Sequence, residues 1–171
     1  MLEFMIAKLP SPLCHTVALR LFGITKVPMI GKLRPRVITL SEDSLELVIP
    51  ITRFSRNHLH SMYLGALVVG ADCAGGYYAY HLIQKSQQPV SLVFKNLQAT
   101  FLRRAHHDVY FQCTDGKRIQ DLVQRALLSG EREDEVVTIS AFTKTKEGEK
   151  HSRQEVASFS LTISLKKRGT N

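Results

Sequence analysis

Cysteine is scarce in this chain, and the few cysteines present do not cluster. Cys14, Cys73 and Cys113 are odd in number and far apart, which excludes a disulfide framework and the paired close spacing of a structural zinc site. A reducing, cytoplasmic setting is the simplest expectation. The first residues, Met1-Leu2-Glu3-Phe4, put an acid where a secretory signal carries positive charge, and Lys8 interrupts the apolar stretch, so no export signal is read. Acidic side chains are outnumbered, 15 against 23 Lys plus Arg, and the surface should attract anions. The basic residues are nevertheless dispersed, without basic-aromatic interleaving or a nucleic-acid-binding motif, so nucleic acid is not the expected partner. The tail Lys166-Lys167-Arg168 reads as a soluble terminus. Repeats and linker-like runs are absent too. With 44% apolar and 22% charged residues over a length of 171, the composition is ordinary for a globular chain, and residues 1–171 are read as one domain.

What the chain does contain is a sequence of clear periodic segments. Ser11 to Phe22 has a short helical pattern through Leu13, Val17, Ala18, Leu21 and Phe22. Pro35 to Leu40 and the alternation of Leu45, Leu47, Ile49 and Ile51 predict a hairpin turning through Ser41-Glu42-Asp43-Ser44. From Met62 to Ile83, within a helix expected over about 62–84, nearly every residue is apolar or small, and only Asp72 and His81 are strongly polar. Such a segment predicts a helix buried on all sides. Its length would also permit a membrane span, but a carboxylate at the bilayer centre costs roughly 2.5 to 3.5 kcal/mol, and Gly65, Gly70, Gly75 and Gly76 with the strands that follow favour a core helix, so no membrane span is expected.

Beyond the helix, Pro89 opens a strand whose apolar phase, Val90, Leu92 and Phe94, slips near Lys95 to Leu97, Ala99 and Phe101, which predicts a bulge. Val109, Phe111 and Cys113 alternate up to the turn pair Asp115-Gly116. Ile119, Leu122, Val123, Ala126 and Leu127 then predict a surface helix over about 117–129, ended by Gly130. A strand through Val137, Ile139 and Ala141 turns at Lys146-Glu147-Gly148-Glu149 into a last one. There Ala157, Phe159, Leu161, Ile163 and Leu165 face the core, and Ser158, Ser160, Thr162 and Ser164 face water. About six strands and one wholly apolar helix require a curved antiparallel sheet wrapped around a long buried helix, the α+β hot-dog arrangement.

Chemistry is expected in two places. The junction Asn57-His58-Leu59-His60-Ser61-Met62-Tyr63-Leu64-Gly65 leads into the buried helix, whose free N–H groups and dipole can hold an oxyanion. Asn57 and Ser61 could equally serve only as helix caps. Asp72 must be neutralised, paired or placed in a cleft. It shares a face with Gly65, Val68, Val69, Gly76 and Ala79, leaving a narrow channel for a second backbone or a slender substrate arm; the alternative is a buried brace bonded to a neighbouring loop. His58 and His60 lack a nearby third ligand, so no metal is expected. Arg103, Arg104, His106 and His107 form the densest basic group outside the tail, at the end of a strand.

The run from Asn57 to Asp72 resembles the signature of hot-dog-fold acyl-CoA thioesterases, in which an Asn, a small loop, a His-Gly-Gly and a helix carboxylate follow in order. Asn57 and Asp72 stand fifteen residues apart as in that family, and Gly65 matches the second glycine. Lys95-Asn96-Leu97 through Phe101-Leu102-Arg103-Arg104-Ala105 and Asp108-Val109 is similar to the strand after the family's helix. The likeness runs from about Val37 to Leu165, and with the helix at Lys117 to Ser129 it is greatest for a poorly characterised branch of the superfamily. Tyr63 stands where the family has His, and Leu64 where it has the first glycine.

The resemblance implies hydrolysis of an acyl thioester, with CoA or a carrier's phosphopantetheine as part of the substrate and no separate cofactor. It implies a homodimer, or a tetramer, whose sheets join and whose sites lie at the interface. The amide of Leu64 or Gly65 would polarise the thioester carbonyl, Asp72 would act as base or nucleophile, and Asn57 would orient substrate or water. Tyr63, Ser61, Arg103 and Arg104 are the substrate-binding candidates, the arginines toward CoA phosphates. A non-catalytic acyl-ligand module with the same tunnel is the competing expectation. A dehydratase would be expected to pair a loop His with the helix acid, and Tyr63 weakens that.

Overall fold

The computed structural model describes residues 11–147 and 150–168. Two helices, α1 (Ser11–Thr25) and α2 (Pro28–Leu33), precede the hairpin of β1 (Arg36–Leu40) and β2 (Leu45–Ile49). Then come the central helix α3 (Leu64–Ser86), β3 (Val90–Phe101), β4 (Val109–Cys113), α4 (Gly116–Ser129), β5 (Arg132–Glu147) and β6 (Lys150–Lys167). The six strands form one antiparallel sheet in the order β1-β2-β4-β5-β6-β3. The fold is the hot-dog arrangement, with the sheet curled around α3.

Small residues let the sheet close on the helix. A Cβ at Gly70 would sit 2.2 Å from Cζ of Phe111, so the glycine is what admits the β4 ring against the helix backbone. Ala71, Ala74 and Ala79 are fully buried, as are Val137 and Ile139 of β5 and Ile163 of β6. Interiors are close-packed, and alternating strands can seal a rod only if its surface is this smooth. Helix α4 lays Ile119, Leu122, Val123 and Ala126 against the assembly and stops at Gly130, whose φ of 69° is the left-handed cap that glycine accepts most readily. Among the described residues no helix is long and apolar enough to cross a membrane.

Several expectations need correction. The first helix extends past Phe22 to Thr25, and α2 follows it unanticipated, Pro28 supplying a helix start after Val27. The central helix begins at Leu64 and ends at Ser86, two residues later at each end than expected; at its start Met62 N–H is taken by Ala105 O at 2.7 Å and Tyr63 N–H by Ser55 O at 2.8 Å, and at its end Gln87 takes the left-handed cap. Strand β5 begins at Arg132, well before Val137, since pairing with the long β6 extends it. Ser164 is buried rather than wet, and Arg132 Nη1 donates to its hydroxyl at 3.1 Å. Lys166 and Lys167 are the last residues of β6, and Arg168 N–H donates to Pro89 O, so this part of the tail belongs to the sheet. The turn expected at Lys146-Glu149 includes residues 148–149, which lie outside the described residues, as does the N-terminal stretch read for export. The slip near Lys95 is present as a register shift between Phe94 and Asn96.

Candidate active site

Asp72 lies in the third turn of α3, half-buried. Loss of solvation pushes its carboxyl up from 3.8 to about 6. Among the described residues it has no hydrogen-bond or ion-pair partner, so the buried-brace alternative finds no support there. The carboxylate opens instead on a cavity of about 420 Å³ that runs between α3 and β3 and is covered by α1 and α2. A Cβ at Gly76 would meet Asp72 Oδ1 at 3.2 Å and Phe94 Cζ at 2.8 Å. The missing side chain therefore brings the ring of Phe94 beside the acid. Of the face expected to flank a channel, Asp72 and Gly76 line this cavity, whereas Gly65, Val68, Val69 and Ala79 do not.

The loop before the helix entrance is bonded largely to itself. Leu59 N–H and Ser61 N–H donate to Asn57 Oδ1 at 2.9 and 3.2 Å, as does Ser61 Oγ at 3.2 Å. Asn57 N–H reaches Ser61 O at 2.8 Å, and His60 turns the chain at φ 57°. Asn57 and Ser61 thus brace their own loop and do not cap the helix. The N-cap is Tyr63, which makes no side-chain cap bond. The N–H groups of Leu64, Gly65 and Ala66 are left without partners among the described residues, as first-turn donors are unless something caps them. The ring of Tyr63 folds over Gly65, where a Cβ would lie 2.7 Å from Cε1. Tyr63 and Leu64 are both more than half exposed, at 53% and 52%.

The structure does not bring these donors and Asp72 together within one chain. Eight residues of helix separate Leu64 from Asp72, about 12 Å of axial rise, and the cavity at Asp72 extends toward the C-terminal end of α3, away from the entrance. Arg103 and Arg104 stand on the entrance side, because the adjoining Ala105 holds Met62 N–H, and both are exposed. His58 and His60 are exposed on the loop, and among the described residues no three His, Cys, Asp or Glu converge on a metal position. Cys73 and Cys113 are pushed well above the ordinary thiol range by burial, Cys113 to about 11, which keeps them protonated and poor as nucleophiles.

Sequence reasoning missed the residues that shape the cavity. Phe22 from α1 and Tyr80 from α3 meet with ring centroids 5.0 Å apart, and Arg168 stands at the far end. The strand alternation exposes Phe94 as a facing residue, but nothing local links α1 to Asp72. A larger cavity of about 630 Å³ lies between α3 and α4, near His15, His81 and Lys85. Three of its residues are engaged with one another: Tyr78 Oη donates to Glu42 O, and Gln120 Nε2 reaches Glu42 O at 2.6 Å and Tyr78 Oη at 3.1 Å. His81 is held down at about 4 by burial, His15 and Lys85, so it stays neutral at ordinary pH.

Known structures share this fold. A protein of unknown function from Chlorobaculum tepidum TLS superposes with a TM-score of 0.75 at 14% identity, covering 92% of this chain and 97% of that one. One from Pseudomonas aeruginosa, described as a probable thioesterase, gives 0.66 at 22%, covering 94% and 97%. A thioesterase family protein from Silicibacter pomeroyi gives 0.61 at 17%, covering 90% and 99%. No curated protein matches the chain. A family model described as a domain of unknown function, DUF4442, matches residues 16–158.

Proposed function

This chain belongs to the DUF4442 family, and from the site it carries we propose that it hydrolyses an acyl thioester, acyl-CoA or acyl-carrier, to the free acid and the thiol. The observation that carries this reading is Asp72, an unpartnered carboxylate in an apolar cavity with its pKa raised to about 6. At pH 7 to 8 such a group is ionised yet poorly solvated, which suits a general base. It takes a proton from water as the oxygen attacks the thioester carbon. The carbon-sulfur bond then breaks, and the departing thiolate recovers the proton from Asp72. The names given to the Pseudomonas and Silicibacter proteins support the same reading.

The oxyanion needs donors that the described residues of one chain do not supply near Asp72. Strand β3 is at the sheet edge and exposes Val93, Leu97 and Phe101 at 45%, 38% and 48%, an apolar edge of the kind that proteins keep covered. A second copy pairing along β3 covers it. Because Leu92 and Phe94 of that strand also frame the Asp72 cavity, the partner's helix entrance can approach the acid across the seam. Leu64 and Gly65 N–H then polarise the carbonyl, with Arg103 and Arg104 toward CoA phosphates. Tyr63 and Leu64 in place of His and Gly favour, as a second reading, an acyl-binding module without turnover. Free-thiol release from a panel of short, medium, long and aromatic acyl-CoAs, with Asp72→Asn as control, separates the two. Turnover that Asp72→Asn reduces by at least a hundredfold supports hydrolysis; binding without thiol release selects the module.

A further inference from the structure

The cavity beside Asp72 follows α3 for several turns, and its two ends are chemically different. Along α3 it is lined from Asp72 through Gly76 and Tyr80 to Gln84, residues that fall on one stripe at spacings near four. Twelve residues of helix amount to about 18 Å. The opposite wall is β3, whose alternate residues Phe94, Leu92 and Val90 descend in step with the helix, and Arg168 stands beside Val90 at the far end, its N–H on Pro89 O. The cover comes from Phe22 of α1, Ile30 of α2 and Val27 between them. Between Asp72 at one end and Arg168 at the other the lining is predominantly aliphatic and aromatic, with Cys73, Tyr77, Tyr80 and Gln84 as its other polar residues.

Resting on the thioester reading, we infer that this groove is a length gauge for an unbranched aliphatic acyl chain of about twelve to fourteen carbons, with the thioester carbon at Asp72 and the methyl end at Val90, Gln84 and Arg168. The length follows from the groove's span. An extended chain advances about 1.2 Å per bond, as a polypeptide does over its three backbone bonds per residue. About 4 Å of the span of about 18 Å is contact distance between the terminal methyl and the end wall, so the remaining length of about 14 Å holds about twelve bonds, a chain of about thirteen carbons. Shorter chains leave the far end unfilled and lose burial worth up to about fourfold in affinity per methylene. Longer ones carry their ends past the groove to the exposed Gln84 and Arg168, where further length gains no burial.

The test measures kcat/KM for CoA thioesters of six, eight, ten, twelve, fourteen, sixteen and eighteen carbons, alongside calorimetric binding of dodecanoic acid. The wild-type protein should peak at twelve to fourteen carbons, at least about tenfold above six. Val90→Phe, which fills the far end, should move the peak about two to four carbons shorter. Gln84→Trp, at an exposed position of the same end, should move it the same way and decides the matter if Val90→Phe does not fold. A flat profile, or a peak that neither variant moves, overturns the gauge and leaves hydrolysis standing. Dodecanoic acid bound by the wild type and weakened in the variants, with no thioester cleaved, keeps the gauge and removes hydrolysis. Neither binding nor cleavage overturns both.

Discussion

Replacing Asp72 by Asn should make the protein more stable above pH 6 and leave it unchanged below pH 4. The side chain keeps its shape, and only the ability to carry charge is lost. In the folded protein the carboxyl ionises at about 6 because burial strips its water, against 3.8 for an unhindered aspartate. As pH rises from 4 the unfolded chain gives up its proton first, so the folded state holds more protons through the interval and stability falls until about pH 6, then levels. Slightly more than two pH units, at about 1.4 kcal/mol each, set the full effect at about 3 kcal/mol. Water reaching the half-buried carboxylate makes this an upper value. Urea unfolding of both proteins at equal concentration, followed by circular dichroism from pH 4 to 8, should show curves that coincide at pH 4 and separate to at most about 3 kcal/mol by pH 7, about 6–12 °C in Tm. A difference that does not vary with pH, or an Asn variant less stable at pH 7.5, would refute the claim that Asp72 is an uncompensated buried acid.

Other outcomes follow from the same geometry. If Asp72 is the base, kcat/KM should rise with pH through a midpoint near 6, the deprotonated form being the active one, and stopped-time thiol release checks this. Leu97→Lys on the β3 edge should convert a dimer to a monomer by light scattering and abolish turnover, while the far-ultraviolet spectrum is retained. Arg103→Ala with Arg104→Ala should raise KM for acyl-CoA about tenfold at low salt, leaving a phosphate-free thioester of N-acetylcysteamine unaffected. Gly70→Ala should cost about 1–3 kcal/mol of stability by overpacking, since its Cβ would press within 2.2 Å of the Phe111 ring; denaturant midpoints read it directly.

Most of the architecture was legible because it is written in local periodicity. Alternation along Ala157 to Leu165 is a two-residue signal that any half-buried strand must show. The apolar run after Met62 can be satisfied in water only by a sheet that wraps it. The bulge near Lys95 showed as a change of phase. Helix ends were displaced because caps depend on distant acceptors: no pattern near Met62 announces that Ala105 will take its N–H. The helix α2 escaped notice since six residues, Pro28–Leu33, are too short for a period to register.

Asp72 could be singled out from sequence because an acid amid apolar residues is costly wherever it lies. Tertiary structure decided which way that cost is met. It left the carboxylate without a partner among the described residues and opened it on a hydrocarbon groove roofed by α1, a segment fifty residues earlier in the chain. It also committed Asn57 to its own loop and held the helix entrance about 12 Å from the acid. Periodicity records which face of an element avoids water. Which two faces meet, and what gap remains between them, depends on contacts between residues far apart in the chain, and these exist only once it has folded.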